Sequence, residues 1–136
     1  MKSITVPANE ESPGFVTEFV EEQLSLYDCS PRVLNQIDIA IEEIVVNIVN
    51  YAGLADSEGI EVRCEVVDDP LRVVLQFLDG GVPFDPLTIA EPDTSPEATM
   101  EREGGLGIFM VKRMMDDVSY TYEDGKNTLT ILKHFE

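Results

Sequence analysis

The feature that most constrains this chain is an apolar stripe running along one long helical stretch. Ser30-Pro31 opens it. Serine accepts an orphan amide hydrogen of a first turn, and proline at the first helical position gives up an N–H that had no partner. From there Leu34, Ile37, Ile41, Ile44, Ile48 and Ala52 recur at spacings of three and four, up to Gly53. A helix from Pro31 towards Ala52 with so apolar a face needs a second layer to cover it.

The rest of the chain supplies that layer. Lys2 to Val6 alternates as a short strand does, and Phe15, Phe19, Val20 and Leu24 then keep near-helical spacing, which predicts a first helix up to about Tyr27. Two strand-like runs, Ile60 to Val67 and Leu71 to Leu78, flank Asp68-Asp69-Pro70, a break suited to a hairpin. Asp79 to Gly107 is rich in Gly, Pro, Ser, Thr and Glu and reads as a lid, since long connections inside compact domains are usually functional. Leu106, Phe109, Met110, Arg113 and Met114 mark a third helix. A strand near Val118 to Tyr122, a turn at Asp124-Gly125 and a last strand from Leu129 to Phe135 complete the pattern. The expected fold class is α+β, a two-layer sandwich with the helices on one face of the sheet. At 136 residues the chain fits a single domain spanning 1–136.

Charge narrows the ligands. With 27 acidic against 9 basic residues the net charge is -18, a surface that repels nucleic-acid backbones and anionic lipid. An anion site on such a protein has to be local and built from backbone N–H groups or a metal ion. The opening MKSITVPANEES has no apolar run of signal-peptide length, and no stretch approaches the roughly 20 residues of a membrane helix, so a cytoplasmic location is expected. Cys29 and Cys64 have no partners at zinc spacing and read as ordinary reduced thiols.

The long helix also carries the candidate chemistry. Glu43 and Asn47, four residues apart, share one flank of the stripe, with Gln36 and Asn50 nearby, whereas Glu42 points to solvent. Such a pair is also what any helix boundary carries. Asp79-Gly80-Gly81-Val82-Pro83-Phe84-Asp85 starts where an apolar strand ends. Its glycines let a flat ligand approach, and its first carboxylate can accept from an exocyclic amine; a sharp turn with a capping Asp fits equally well. Gly104-Gly105-Leu106-Gly107 precedes the third helix and offers free N–H groups at the positive end of a helix dipole, or else a flexible hinge. It follows neither the P-loop nor the dinucleotide fingerprint.

Taken in order, Glu43-Ile-Val-Val-Asn47, Asp79-Gly80-Gly81-Val82-Pro83-Phe84, Gly105-Leu106-Gly107-Ile108-Phe109-Met110-Val111 and Gly125-Lys126-Asn127-Thr128 are more specific than any one segment. The series resembles the N, G1, G2 and terminal motifs of the GHKL, or histidine-kinase-like, ATPases, and within them the small anti-sigma-factor serine/threonine kinases. The resemblance covers roughly Ser30 to the C-terminus. It implies a Bergerat fold, with a mixed, mainly antiparallel sheet and ATP held between the helices and the lid. It makes Glu43 the general base towards a serine or threonine hydroxyl and gives Asn47 the Mg²⁺ ion. Asp79 would read adenine, with Gly81 and Val82 beside the ring and Thr128 in support. Gly104, Gly105, Leu106 and Gly107 would line the phosphates, and Asn50 would reach the ribose or phosphates. Arg102 reads as a solvated charge or as a group that reaches the γ-phosphate or a partner protein, and Lys112 and Arg113 read as exposed helix residues, with partner contact as the alternative.

The chain departs from the family pattern at Asn50-Tyr51-Ala52, where many relatives have His-Ala/Gly-Tyr, and at Asn127, where Gly-Thr is usual. His134, the only histidine, lies far from the motifs, which argues against a complete two-component histidine kinase. The implied activity is phosphorylation of a STAS-type antagonist protein together with binding of a sigma factor, with homodimerisation open. The alternative is a non-catalytic module that uses ATP only to set a protein-binding surface.

Overall fold

The computed structural model describes residues 1–51, 59–88 and 105–135. Strands β1 (Lys2–Pro7), β2 (Gly59–Val67), β3 (Arg72–Asp79), β4 (Asp117–Glu123) and β5 (Lys126–His134) form one sheet in the order β1-β2-β3-β5-β4. Helices α1 (Ser12–Leu24), α2 (Pro31–Tyr51) and α3 (Gly105–Met114) form the second layer, and a 3₁₀ turn spans Pro86–Thr88. The two-layer α+β class follows the sequence pattern. All four pairings are antiparallel, where a mixed, mainly antiparallel sheet was expected. For two of the four pairs the connections explain this: short turns join β2 to β3 and β4 to β5, and a hairpin turn can only join antiparallel neighbours.

Local chemistry explains the helix starts. Ser30 caps α2 by accepting the Val33 N–H at 3.2 Å. Ser12, buried at the start of α1, accepts the Asn9 N–H at 2.8 Å and donates to the Pro7 carbonyl, which ties α1 to the end of β1. The stripe of α2 is buried as its spacing requires: Ile37, Ile41, Ile44 and Ile48 lie in the core, with Ala40 and Val45 between them. Each buried Ile contributes roughly 1.5–3 kcal/mol relative to an exposed one. In α1 the buried line is Val16, Val20 and Leu24 with Phe19 packed against it, so the expected Val20, Leu24 and Phe19 face the core, while Phe15 is exposed and Val16 takes its place.

Beneath the helices, Ile60, Val62 and Cys64 of β2, Val73, Leu75 and Phe77 of β3, and Leu129 and Ile131 of β5 alternate inward. Both thiols are free, and burial raises that of Cys64 to a pKa of about 11. The β4–β5 turn has Asp124 and Gly125 at φ of 54° and 75°, the left-handed pair that a two-residue hairpin turn demands. Strand β5 therefore begins at Lys126 rather than Leu129, which places Asn127 and Thr128 inside the sheet. Among the described residues no helix is long and apolar enough to cross a membrane.

Candidate functional site

One pocket opens between α2, α3 and the ends of β3 and β5, enclosing about 380 Å³ of empty space, part of it open to solvent. Its apolar walls come from Ile44, Ile48, Phe77, Phe84, Pro86, Ile108 and Leu129, and its polar groups are Asn47, Asp79, Tyr120 and Asn127. A concave, mostly apolar pocket with a few convergent polar groups is the usual form of a small-molecule site.

Asp79 ends β3 and is only 5% exposed. Its Oδ1 accepts the Gly81 N–H at 2.9 Å and the Asn127 Nδ2–H at 3.0 Å. Oδ2 has no hydrogen-bond partner among the described residues, which leaves half of a carboxylate for a donor on a ligand. The Asn127 carboxamide, 6% exposed, uses all its capacity. Nδ2 also donates to the Val82 carbonyl at 2.8 Å, and Oδ1 accepts the Phe84 N–H at 3.1 Å and the Tyr120 O–H. Burial pushes the Tyr120 pKa up, against the pull of the Phe84 backbone, and Asp85 and Asp79 add to the rise; the phenol is a neutral donor.

The opposite wall is built by α2. Asn47 is 8% exposed and faces the same pocket. No described residue hydrogen-bonds its side chain. One turn earlier, the half-buried Glu43 lies against Gly107 of α3: a Cβ built on Gly107 would overlap the Glu43 carboxylate and stand 2.9 Å from its Cδ. The glycine is needed here for close approach rather than for backbone freedom. The two residues are thus neighbours in space across 64 positions of sequence, and Glu42 is exposed as its place on the helix requires.

Of the expected site residues, Asn47 and Asp79 line this pocket; the Gly81 N–H is bonded to Asp79, Glu43 lies one turn before Asn47 against Gly107, and α3 begins at Gly105. Val82 is 58% exposed and contributes its carbonyl to Asn127. Asn50 is exposed and lines a separate groove with Asn9, Glu10 and Pro13, away from Asp79. Thr128 falls on the sheet face opposite Asn127 by strand alternation, paired with Leu78 and Thr121. Gly104, Arg102 and most of the expected lid lie outside the described residues, and only the backbone of Leu106 is described. Lys112 and Arg113 are exposed, Arg113 sitting over the Phe109 ring at 5.2 Å. His134 is at the far end of β5, beside Asp116.

Asn127 and Tyr120 are the site residues that the sequence pattern alone does not single out. The signal was present in Asp124-Gly125. A two-residue turn there pairs Glu123 with Lys126, so Asn127 has the same facing as Leu129 and aligns with Asp79.

Residues 6–133 match the histidine kinase-like ATPase domain family. The chain is similar to serine-protein kinase RsbW of Listeria monocytogenes serovar 1/2a, 34% identical over 101 residues, which cover 71% of this chain and 63% of that protein. The chain thus aligns with less than two thirds of the length of its Listeria relatives. Serine-protein kinase RsbW of Staphylococcus aureus (strain MSSA476) is 26% identical over 137 residues, covering 96% of this chain and 84% of the relative. Among solved structures, the RsbU and RsbW domains of a Mycobacterium tuberculosis protein superpose with a TM-score of 0.68 at 17% identity, over 98% of this chain and 32% of that one. The Pseudomonas aeruginosa SiaB–SiaC complex gives 0.64 at 15% identity, over 98% and 89%. These two likenesses speak for the fold, and the family match, running from β1 to the end of β5 and across every element of the pocket, speaks for descent: the chain belongs to the histidine kinase-like ATPase domain family.

Proposed function

We propose that this chain is a single-domain, ATP-dependent serine/threonine protein kinase that acts in an anti-sigma switch. The observation that carries the reading is the pairing of two walls across one cleft. An apolar pocket ends on the half-free carboxylate of Asp79, and on α2 a carboxamide lines the same pocket one turn after a carboxylate that lies against Gly107 of α3. That is the division of labour that phosphoryl transfer needs, with recognition at one end and positioning plus electrostatics at the other.

In this reading Asp79 Oδ2 accepts the exocyclic amine of adenine while Phe77, Phe84 and Ile108 enclose the ring. Gly105 and Gly107 let the triphosphate approach the amides of α3. The buried Asn47 carboxamide, with no protein partner among the described residues, fits a hard cation that takes its remaining ligands from phosphate and water. Magnesium, when bound, would neutralise charge on the β- and γ-phosphates. Glu43 would hold the acceptor hydroxyl in line and take its proton as the γ-phosphoryl group leaves ADP.

The name of the Listeria and Staphylococcus relatives, serine-protein kinase, supports a protein hydroxyl as the acceptor. We place the acceptor on a STAS-type antagonist, the silenced partner as a sigma factor, and the protein in the cytoplasm, acting as a monomer or a homodimer. The net charge of -18 disfavours direct contact with nucleic acid.

The test is incubation with γ-labelled ATP, Mg²⁺ and candidate STAS proteins encoded beside this chain. Label should appear on a serine or threonine of one of them and disappear when a chelator removes the metal. Tight ATP binding with no transfer to any such protein would overturn the kinase reading, and absence of ATP binding would overturn the site itself.

A further inference from the structure

We infer that Asn127, braced by Tyr120, is a positioning residue that fixes the base-reading carboxylate and the glycine loop before any nucleotide arrives. The inference rests on the nucleotide reading of the pocket and adds to it a device at a position where the family pattern has a smaller residue.

Four bonds make the case. The carboxamide reaches Asp79 on β3, the Val82 carbonyl and the Phe84 N–H on the loop, and the Tyr120 hydroxyl on β4. A single side chain therefore ties together two strands and the 81–84 loop. Its orientation is not free: turning the amide over would set its NH₂ against two donors and its oxygen against the Asp79 carboxylate. A buried polar group left without partners is costly, so the loop cannot leave Asn127 without leaving several groups unpaired at once.

The consequence for Asp79 is directional. Gly81 N–H and Asn127 Nδ2–H both bind Oδ1, which fixes the carboxylate rotation and presents Oδ2 as the one acceptor for the ligand. An acceptor held in place rewards a purine with an amine at the matching carbon and penalises one with a carbonyl or hydrogen there. Glycine or threonine at position 127 would not span from Asp79 to the loop carbonyl and amide together. Tyr120 belongs to the same device, since its hydroxyl fills the second lone pair of the Asn127 oxygen.

The test compares wild type, Asn127→Ala and Tyr120→Phe, with circular dichroism to verify folding. Two measurements are made. Calorimetry with ATP and with purine riboside triphosphate, which lacks the 6-amino group, gives the preference for the amine. Amide hydrogen exchange on ligand-free protein reads Gly81 and Phe84 directly. Asn127→Ala should lower the ATP-to-analogue preference by about tenfold and speed Phe84 exchange by tenfold or more, with Tyr120→Phe giving about threefold in each. Equal losses of ATP and analogue, with the preference unchanged, would reduce Asn127 to packing and overturn the inference. Unchanged exchange at Phe84 would overturn it as well. If wild type bound neither nucleotide the ATP reading would fail, and exchange in the ligand-free protein would still decide whether the latch exists. Should Asn127→Ala fail to fold, Tyr120→Phe carries both measurements.

Discussion

The two ends of the cleft are built in opposite ways. At the base end, Asp79, Asn127, Tyr120 and the loop amides are joined by a closed set of hydrogen bonds, and little there remains to be arranged by a ligand. At the chemical end, Asn47 and Glu43 make no side-chain hydrogen bond to any described residue, and what positions Glu43 is contact with Gly107. On the proposed kinase reading, the difference means that recognition is preorganised in the protein alone, whereas the reaction geometry would wait for groups that the ligand, its metal and the acceptor protein bring. Substitutions at the two ends should therefore fail in different ways.

The largest expected effect separates them most cleanly. Glu43→Gln keeps size and shape but removes the base, so transfer to the acceptor should fall by about 10²- to 10⁴-fold while ATP affinity stays within about threefold. Single-turnover rates alongside calorimetry measure both. A comparable loss in binding would show that the chemical end serves ground-state binding just like the base end, and the contrast would break. Retained ATP-dependent partner binding without any effect of the substitution on partner state would instead favour a nucleotide-gated binding module.

Asp79→Asn is the reciprocal case. The carboxamide can offer an N–H where the adenine amine also donates, so affinity for ATP should fall by about 10²-fold, with the transfer rate at saturation changed far less. A variant that bound normally but reacted slowly would place Asp79 at the wrong end of the cleft.

How much of this was legible in the sequence follows the same division. The helix stripe from Ile37 to Ile48, the Ser30 cap and the Asp124-Gly125 turn each report local geometry, and local geometry is what a sequence states most directly. Glu43, Asn47 and Asp79 were legible through motif order, and the pocket collects Asn47 and Asp79 with Glu43 one turn away. Asn127 was not, because its meaning depends on register: with the strand started at Leu129 it lay between the Asp124-Gly125 turn and the strand with no defined facing, and with the strand started at Lys126 it pairs with Asp79. Thr128, which the family resemblance sets in support of the adenine contact, lies on the other face of β5, since one residue along a strand moves a side chain to the opposite face. Phe15 shows the matching limit in a helix, where Val16 occupies the seam and one residue rotates the face by about 100°.

Gly107→Ala tests whether contact alone sets the chemical end. The added methyl group meets the far end of a flexible side chain, so the Glu43 carboxylate can swing aside without disturbing the core. The transfer rate should drop about tenfold and the melting temperature should move by no more than about 2 °C. Restoring room by shortening the acid, in Gly107→Ala with Glu43→Asp, should not recover the rate, since Asp cannot reach the same place. An unchanged rate in Gly107→Ala would mean that Glu43 is positioned by the ligand and not by α3, which sharpens the contrast between the ends further.

The smallest effect is expected where neither end is touched. Asp38 lies on α2 before Glu43, and its pKa is pushed up to about 7 by burial, by a hydrogen bond with Glu21 of α1 and by the charge of that carboxylate. One of its oxygens is buried with no partner among the described residues. The folded chain keeps this proton to about pH 7, whereas the unfolded chain releases it near the ordinary value of 3.8. More protons are bound to the folded state in that window, so this group's contribution is fully present below it and fades as pH rises towards 7. Asp38→Asn cannot ionise. It should match wild type below the ordinary value of 3.8 and exceed it at about pH 8, by roughly 1 kcal/mol once solvent screening of a half-open pair is allowed for. Urea titrations at the two pH values measure the gap, and Glu21→Gln should narrow it in the same direction. Because the Asp38 pair stands apart from the cleft, ATP affinity and transfer rate should be unchanged in Asp38→Asn; a shift in either would mean that α2 transmits the state of its first half to Glu43 and Asn47, and the chemical end would then be governed from within the fold.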